Sequence, residues 1–483
     1  MKSDQTIKIL FAASEAEPFY KVGGLGDYAG SLPLALKSHF THNGEQLDMR
    51  VVLPLHDPHT ISKFQLHKLL DLTIPGKKTE NLCRIYFRKY ENIPHYFIHQ
   101  LIPKLESHAV YAPDQYQTAY KFALFSITVV QMLEAMGWRP DLIHTNDWHT
   151  ALINYLVGKQ KPINNKKPKT ILTIHNMPFM GYGSEPVYDE FGIQPVSEQA
   201  FPSWAKYLPL PMGIAEADQI VAVSPSYAKE LTTQNFAYGI EKYFLAHTEK
   251  LCGIINGIDY EKWDPAQDPI ISSNYSSGNL ASRMKNKSKL FAEIGFKIPE
   301  KEPLLVVISR LESQKGIDLI LDAMSETAGR KWKAVILGSG HHGYEYAFRA
   351  LERVFPDKIH TVIEYNPQLA RKLYAAGDMI LMPSLYEPCG LSQMIAMRYG
   401  CIPIAHAVGG LKDSIITKPK TKRTGYLFKP ATKSAFITCL KKALRDYSDT
   451  AAWKKIQSNA MRFDFSWFRS AANYADIYKQ LIK

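Results

Sequence analysis

The sequence predicts an α/β protein made of two domains, each built on a parallel sheet with helices on both faces. A strand, a turn and an amphipathic helix follow one another near the start, in IKILFAASEAE and KVGGLGDYAGSLPLALKSH. The same pattern returns in PLLVVISRLESQKGIDLILDAM, and short apolar runs followed by helical patterns recur between and after the two segments. Strands that alternate with helices are typical of parallel sheets. Two such series indicate two domains rather than one very wide sheet.

The predicted strands are short apolar runs that end in turn residues. The first, IKILFAA, is continuously apolar after Lys8, as in a strand buried on both faces. The helix after it places Leu25, Tyr28 and Leu32 at helical spacing. Further strands are predicted, in chain order, at MRVVLPL, PDLIHTND, KTILTIHN, QIVAVSPS, PLLVVIS, KAVILGSG, KIHTVIEY, DMILMPS and CIPIAHA.

Turn residues cluster in LCGIINGIDYEKWDP, and we place the domain boundary there. The N-terminal domain is predicted to span residues 1–255 and the second domain residues 256–465. Ligands of doubly wound folds bind at the carboxyl ends of the strands. We therefore expect the functional site at those ends, in a cleft between the two sheets.

Composition excludes several classes of protein. The 483 residues are 46% hydrophobic and 22% charged, which rules out whole-chain disorder, collagen and coiled coil. The longest apolar stretch, KFALFSITVVQMLEAMGW, includes Gln131 and Glu134 and is too polar to span a membrane. The start shows no signal-peptide pattern. Five cysteines form no C-x-x-C pair, which favours a reducing compartment, and we predict a cytoplasmic protein.

The net charge of +12 is compatible with nucleic acid, anionic lipid or a phosphorylated substrate as partner. Positively charged residues concentrate in two segments, GKQKPINNKKPK and KPKTKR, whose charged residues span Lys159–Lys169 and Lys418–Arg423. Their Pro, Gly and Asn content indicates loops, and charge runs of this kind are usually solvated. We predict no nucleic-acid partner and no membrane partner.

The glycine-rich segment KVGGLGD is a candidate anion site. Gly23 and Gly24 lie just before a helix, so their backbone N–H groups can approach a phosphate, and the helix N-terminus adds partial positive charge. Lys21 supplies a mobile cation beside them. The alternative is a turn that needs glycine only for a positive φ angle.

Two segments of the second domain add candidates at strand ends. Arg310 and Lys315 follow a strand and suit a pyrophosphate, one through its planar fork and the other as a point charge. In SLYEPCGLSQMIAMRYG, Gly390 opens a helix and Glu387 can accept hydrogen bonds from sugar hydroxyls. Alternatively, Arg310 and Lys315 are only exposed loop residues, and Glu387 is an acid at the start of a helix, where the helix dipole stabilises negative charge. Cys389 has no histidine near it in sequence, so a nucleophilic role is not favoured.

Histidines and an aspartate at two other strand ends allow several interpretations. His144, Asp147 and His149 resemble metal ligands, but the spacing is not a standard zinc pattern. We expect Asp147 instead to cap the helix that follows, since Asp is a favoured N-cap. His175 ends another strand and is a fair catalytic candidate, although a lone histidine is more often structural.

Two further patterns bear on cofactors. Gly338, Gly340 and Gly343 form G-x-G-x-x-G after an apolar run, but the acidic residue expected about twenty positions later falls near His360, and Glu364 comes late. A nicotinamide site is therefore a weak alternative. No Asp-x-Asp occurs in the chain. The charge-neutralising groups in view are Lys, Arg and helix ends, which indicates a reaction without a metal ion.

The motif set resembles that of the bacterial-type glycogen and plant starch synthases. The matching segments are KVGGLGD, HTNDWHT, TIHN, NGID, SRLESQKGID, EPCGLSQMIAMRYG and the final DFSW…Y…IY, in the family's order. Many retaining enzymes of the broader architecture carry a second Glu eight residues after the first. Here that position is Ile395, which agrees with the glycogen synthase branch.

The resemblance implies a GT-B architecture, in which two Rossmann-like domains face each other across a cleft and a last helix, 466–483, crosses back to the N-terminal domain. It also implies transfer of glucose from ADP-glucose, or less often UDP-glucose, to the non-reducing end of an α-1,4-glucan such as glycogen or a malto-oligosaccharide. The anomeric configuration is retained, and neither a cofactor nor a metal ion is required.

By motif matching, each candidate residue receives a role. Lys21, Gly23 and Gly24 would touch the donor's distal phosphate and glucose, and Arg310 and Lys315 would hold the pyrophosphate. Glu387 would contact the donor glucose beside Cys389, with Gly390 and Leu391 presenting N–H groups. His175 would adjoin the glucosyl 6-hydroxyl and the reacting centre. The glucose and acceptor side would include Asp27, Asp147 and Asn256.

The expected chemistry follows from the leaving group. The departing diphosphate gains negative charge, so fixed cations and N–H dipoles stabilise the transition state more than the ground state. No carboxylate is evident as a nucleophile, which favours attack on the same face, with the leaving phosphate taking the acceptor's proton. A non-catalytic protein that binds glucan or nucleotide sugar on this fold is the alternative of a different class.

Overall fold

The structure is a computed structural model of the chain, and it describes residues 6–102, 109–111, 114–160, 167–296 and 302–483. The chain divides into two compact units. The first unit comprises Met1–Gly257 together with Trp467–Lys483, and the second comprises Ile258–Ser466. The C-terminal segment thus belongs to the same unit as the N-terminal half.

The described residues of the first unit form a nine-stranded sheet, ordered β3-β4-β5-β2-β1-β6-β7-β8-β9. The strands are β1 Ile7–Ala12, β2 Leu47–Pro54, β3 His67–Pro75, β4 Glu80–Tyr90, β5 Ile93–Gln100, β6 Leu142–Asn146, β7 Lys169–Ile174, β8 Gln219–Ala222 and β9 Leu251–Gly253. From β5 to β9 all neighbours are parallel, whereas β3, β4 and β5 pair antiparallel. The sequence did not predict β3, β4, β5 or β9.

Helices cover both faces of this sheet. They are α1 Gly24–His42, α2 His59–Lys63, α3 Gln115–Ala135, α4 Asp147–Lys159, α5 Glu185–Phe191, α6 Pro209–Glu216, α7 Pro225–Glu230, α8 Gln234–Ala237, α9 Glu241–Ala246 and the C-terminal helix Trp467–Ile482. Alternate residues of β1 serve the two faces, as the period of a strand requires. Ile9 and Phe11 pack with α1 and the C-terminal helix, and Leu10 and Ala12 pack with α3 and α4.

The second unit has a parallel sheet of six strands within the described residues, ordered β12-β11-β10-β13-β14-β15. The strands are β10 Leu304–Ile308, β11 Lys333–Leu337, β12 Ile359–Val362, β13 Met379–Met382, β14 Ile402–His406 and β15 Tyr426–Phe428. The helices are α10 Arg283–Ile294, α11 Ile317–Glu326, α12 His342–Val354, α13 Pro367–Ala376, α14 Ser392–Arg398, α15 Gly409–Ser414, α16 Lys433–Tyr447 and α17 Thr450–Arg462. This is the strand order of a Rossmann fold, and the prediction of two parallel-sheet units is confirmed.

Each sheet has a point where the strand order reverses, and ligands of such folds bind there. In the first unit it lies between β1 and β6, and in the second between β10 and β13. Lys21, Arg310 and Glu387 lie in the loops after these strands, and Asp147 is the first residue of α4, directly after β6. Topology therefore brings candidate residues to one end of each sheet.

Two sequence expectations concern membranes and disulfides. Across the ranges that the structure describes, no helix is long and apolar enough to cross a bilayer. The apolar stretch singled out above forms most of α3, whose side chains are largely buried against the sheet. All five cysteines lie in described segments and are free thiols.

Candidate active site

The glycine segment of the first unit is organised by a carboxylate that sequence reasoning missed. Gly23 is the N-cap of α1, and its φ of −141° is extended, so a left-handed conformation does not explain this glycine. The Glu15 carboxylate accepts hydrogen bonds from the N–H groups of Val22, Gly23 (3.2 Å) and Gly26 (3.0 Å). The first N–H groups of a helix lack partners within the helix, and Glu15 accepts the one from Gly26. Among the described residues no hydrogen bond engages the N–H groups of Gly24 and Leu25, so these two can meet an anion.

Lys21 lies among carboxylates. Its Nζ is 2.6 Å from Asp27 Oδ1 and 3.7 Å from Glu17 Oε2. Burial raises the pKa of Glu15, although the three N–H groups oppose this and the charge of Asp27 adds to it. Carboxylates therefore outnumber Lys21 around the α1 N-terminus, which suits the hydroxyls of a sugar. Lys21 Nζ is a cation there that can meet a phosphate.

Asp147 does not cap α4, so that prediction was wrong. Asn146 is the N-cap, and Asp147 is the first helical residue, with a φ of +52° that is unusual for a residue other than glycine. The strained backbone directs the carboxylate toward the end of β7, where Oδ1 accepts hydrogen bonds from the N–H groups of His175 (2.7 Å) and Asn176 (3.2 Å). Asp147 thus joins the ends of β6 and β7.

Burial raises the pKa of Asp147 from 3.8 to about 7, and the nearby charge of Glu15 adds to the effect. The native state therefore binds this proton more tightly than the unfolded chain does. We expect the free energy of unfolding to fall as the pH rises from about 4 toward 7, with a slope of about 1.4 kcal/mol per pH unit from this group.

Asp147→Asn should remove this part of the pH dependence of the free energy of unfolding. Glu134 is an exposed carboxylate on α3, and Glu134→Gln should leave that pH dependence unchanged. Urea titrations of the three proteins at pH 5 and pH 8 compare them directly. An Asp147→Asn variant with the pH dependence of the wild type would contradict the assignment.

His175 stands at the end of β7 as predicted. Its Nε2 lies 3.1 Å from Asn146 Oδ1, and its ring meets the Tyr28 ring edge-on, with 4.5 Å between centroids. Burial lowers its pKa to about 3, so the imidazole is neutral near pH 7. A neutral ring can donate or accept a hydrogen bond from a sugar hydroxyl, but it does not supply a positive charge.

Asn256 and the other two histidines complete the first-unit candidates. Asn256 is buried, and its Oδ1 has no hydrogen-bond partner among the described residues, so an acceptor remains for a ligand or water. His144 is hydrogen-bonded inside the unit, and His149 Nε2 lies 3.2 Å from the Tyr111 hydroxyl. The described part of the chain holds no cluster of three potential metal ligands.

In the second unit the loops after β10 and β13 are tied together. Lys315 Nζ lies 2.7 Å from Glu387 Oε2, which also accepts a hydrogen bond from the Ser384 hydroxyl at 3.0 Å. Gln314 bonds the same loop through Leu385 N–H (2.8 Å) and the Tyr386 carbonyl (3.0 Å). The structure therefore brings Lys315 and Glu387 together, as expected for one site.

Arg310 is an open cation at the switch point of this unit. It lies just after β10, and its side chain is exposed. Within the described ranges no hydrogen bond or ion pair engages its guanidinium, whereas Lys315 is held by Glu387. An always-charged guanidinium fork is suited to a diphosphate, and Lys315 follows five residues later in the same loop.

The turn before α14 differs slightly from the prediction. The helix begins at Ser392 rather than at Gly390, which adopts a φ of +72°. Cys389 is buried in the turn, and the N–H of Gly410, in α15, donates to the Glu387 carbonyl at 3.1 Å. Leu391 is the N-cap residue of α14 and is partly exposed. The turn therefore presents Gly390 and Leu391 beside Glu387.

The glycines at 338–343 have a packing explanation. A Cβ at Gly338 would lie 1.9 Å from the Ser309 carbonyl, so only glycine lets the loop after β11 pass the loop after β10. The Gly340 N–H donates to the Glu345 carboxylate at 2.9 Å and is not open to a phosphate. Nothing here supports a nicotinamide site.

The structure describes the whole of the basic segment Lys418–Arg423 but only part of Lys159–Lys169. In Lys418–Arg423, Arg423 is buried and pairs with Asp446 at 3.1 Å, and Lys420 and Lys422 are exposed. In Lys159–Lys169, residues 161–166 lie outside the described residues.

Comparison with known proteins gives concordant matches over the whole chain. Residues 8–246 match the family model described as Starch synthase catalytic domain, and residues 291–460 match Glycosyl transferases group 1. The chain is 36% identical to a glycogen synthase of Ligilactobacillus salivarius and 37% identical to one of Caldicellulosiruptor saccharolyticus. Each alignment covers 99% of this chain and 100% of the relative.

Solved structures agree with these matches. The catalytic domain of starch synthase IV from Arabidopsis thaliana, bound to ADP and acarbose, has a TM-score of 0.87 and 29% identity, with 99% of this chain and 100% of that chain covered. A sucrose-phosphate synthase from Thermosynechococcus elongatus has a TM-score of 0.61 at 19% identity, over 98% of this chain and 99% of that one. The second likeness concerns the fold alone.

Proposed function

The chain belongs to the glycogen and starch synthase family of glucosyltransferases, and from this premise we propose that it transfers glucose from ADP-glucose to the non-reducing end of an α-1,4-glucan. The acceptor is glycogen or a malto-oligosaccharide. The ADP in the starch synthase IV structure supports ADP-glucose as the donor. UDP-glucose is the alternative donor.

The single observation that carries the proposal is that Arg310 and Lys315 both lie in the loop after β10, at the switch point of the second unit. Arg310 has an open guanidinium, and Lys315 is held 2.7 Å from Glu387. A diphosphate that lies against these groups leaves its sugar near the Glu387 carboxylate, which can accept sugar hydroxyls. Gly390 and Leu391 add backbone N–H groups on the same turn.

These groups explain how the bond to phosphate breaks. As the bond between the anomeric carbon and the phosphate oxygen stretches, negative charge grows on the leaving diphosphate. Fixed positive charge that is already in place stabilises this state without reorganisation. We propose that protein groups alone provide that stabilisation, with no metal ion and no cofactor.

The first unit offers groups that suit hydroxyls. Asp27, Asp147, the neutral His175 and the unpartnered Asn256 oxygen all accept or donate single hydrogen bonds. We assign these residues, with Lys21 and the N–H group of Gly24, to the transferred glucose, its nearest phosphate and the acceptor. The N–H of Gly23, expected from the sequence to meet the donor, instead donates to the Glu15 carboxylate. No residue on this list is placed as a covalent nucleophile, so same-face attack with retention is proposed.

A side-by-side donor assay tests the proposal. Purified protein is incubated with glycogen and either ADP-glucose or UDP-glucose, and both nucleoside diphosphate release and glucan elongation are measured. If ADP-glucose is the donor, its kcat/KM should be higher than that of UDP-glucose. Transfer from UDP-glucose alone would refute the donor assignment.

The elongation assay, combined with a binding measurement, distinguishes the proposed enzyme from a non-catalytic binding protein. Isothermal titration with ADP measures binding independently of turnover. Binding of ADP without any elongation, at equal protein quality, would favour a binding protein on this fold. Hydrolysis of the donor without elongation would contradict the proposed acceptor.

A further inference from the structure

The C-terminal helix carries two buried tyrosines whose hydroxyls enter the interior of the first unit. The helix buries its face against α1 and the sheet through Trp467, Ala471, Tyr474, Ala475 and Tyr478. The aromatic rings account for the packing. A phenylalanine would pack equally well, so the two hydroxyls call for a separate explanation.

Both hydroxyls join a polar layer beneath the strand ends. Tyr478 lies 2.6 Å from His144 Nδ1, and His144 Nε2 lies 2.7 Å from the Thr173 hydroxyl. The Tyr28 hydroxyl donates to that of Tyr474 at 3.0 Å, and it lies 3.3 Å from Thr173. We call these five residues, Tyr28, His144, Thr173, Tyr474 and Tyr478, the tyrosine layer.

The period of the strands connects this layer to the candidate site. His144 and Asn146 are two residues apart in β6, and Thr173 and His175 are two residues apart at the end of β7. Side chains two residues apart in a strand point to the same face. The tyrosine layer therefore lies directly behind Asn146 and His175, whose side chains are 3.1 Å apart.

Tyr28 makes the contact between the layer and the site. Its ring packs edge-on against His175 at 4.5 Å between centroids, and its hydroxyl is held from the other side by Tyr474. All members of the layer are buried, and burial keeps His144 neutral by lowering its pKa to about 3. Neutral hydrogen bonds of fixed direction restrict the positions of rings without adding charge.

We propose that Tyr474 and Tyr478 are positioning residues that hold the His175 imidazole in its reactive orientation through Tyr28, His144 and Thr173. This inference rests on the proposed role of His175. A segment far from the strand ends in sequence would thus contribute to the reaction without touching substrate. Misplacement of a reacting group by about 1 Å can cost about a hundredfold in rate.

The variants Tyr474→Phe and Tyr478→Phe remove one hydroxyl each and keep the ring. Ser470→Ala is the matched control, because it also removes a buried hydrogen bond of the C-terminal helix, to the Ile255 carbonyl at 2.7 Å, outside the tyrosine layer. We expect kcat to fall about tenfold or more in each tyrosine variant, with KM for ADP-glucose within about twofold. Ser470→Ala should keep kcat within about twofold.

A double-mutant cycle distinguishes positioning from a general loss of stability. In a His175→Ala background, Tyr474→Phe should change the residual kcat by less than about twofold, because the group that it positions is gone. An equal loss of kcat in both backgrounds, or no loss in either, would overturn the inference. Full turnover in His175→Ala alone would instead refute the role of His175, and an inactive wild type would refute the proposed function.

Histidine side-chain NMR gives a readout that does not need turnover. Long-range ¹H–¹⁵N spectra report the tautomer and environment of each imidazole, and His175→Gln identifies the His175 signal by its loss. We expect that signal to shift in Tyr474→Phe and Tyr478→Phe and to stay in place in Ser470→Ala. An unchanged His175 signal in both tyrosine variants would contradict the inference, even where residual rates are too low to measure.

Discussion

Arg310→Ala and Lys315→Ala are each expected to lower the rate of glucosyl transfer by about 10²–10³-fold. The reason is that each removes a fixed positive charge from the place where the leaving diphosphate becomes more negative. The loss should appear mainly in kcat, because the charge on the phosphates is larger in the transition state than in the bound donor. Steady-state kinetics with ADP-glucose and glycogen measure it.

Two controls separate this effect from a general change of charge. Lys372→Ala removes an exposed lysine of the same unit that pairs with Glu293 at 2.8 Å, and it should leave kcat unchanged. Lys315→Arg keeps a charge near Glu387 and should retain more activity than Lys315→Ala. Wild-type rates in Arg310→Ala and Lys315→Ala would refute their assignment to the diphosphate.

Asp378→Ala is expected to lower the free energy of unfolding by about 3–5 kcal/mol. Asp378 is buried at the start of β13 and pairs with Lys287 at 2.7 Å and Arg283 at 3.4 Å, while its Oδ2 also accepts the Leu304 N–H at 2.8 Å. Arg283 and Lys287 are themselves only 3% and 2% exposed. Removal of the carboxylate leaves two buried cations without this counter-charge, held by hydrogen bonds to the backbone carbonyls of Gly377, Tyr399 and Glu302.

The exposed pair between Lys372 and Glu293 provides the comparison. Glu293→Ala should cost at most about 1 kcal/mol, since exposed ion pairs contribute little. Urea unfolding of the full chain, followed by circular dichroism and fluorescence, measures the free energy of unfolding of both variants. Equal losses in Asp378→Ala and Glu293→Ala would contradict the account of the buried cluster.

The strands with the clearest sequence signal are buried on both faces. In β10 and β13 the apolar residues are continuous, and in β1 they are continuous after Lys8, because helices cover both sides of the sheet. The strands β3 and β4 lie at the antiparallel edge of the first sheet, where many side chains are exposed and charged residues interrupt the pattern. A run such as His67–Pro75 therefore gives little strand signal before its partner is known.

The site shows the same division between local and distant information. Arg310, Lys315 and Glu387 follow predicted strands, so strand-end chemistry was enough to select them. Glu15 was missed because its role depends on backbone N–H groups seven to eleven residues later. An acidic residue between a strand and a glycine-rich helix start is the signal that could have found it.

Asp147 illustrates an error of local reasoning. Aspartate before a helix is favoured as an N-cap, and the rule was applied to a residue whose φ is +52°. That backbone conformation directs the carboxylate to the N–H groups after β7, a strand that is remote in sequence. The tertiary contact overrode the local preference.

The measurement that tests the central claim most directly is transfer from ADP-glucose to glycogen by protein dialysed against EDTA, with and without added Mg²⁺. If protein groups alone stabilise the leaving diphosphate, the rate in EDTA should equal the rate with Mg²⁺. Loss of transfer in EDTA that Mg²⁺ restores would contradict this claim.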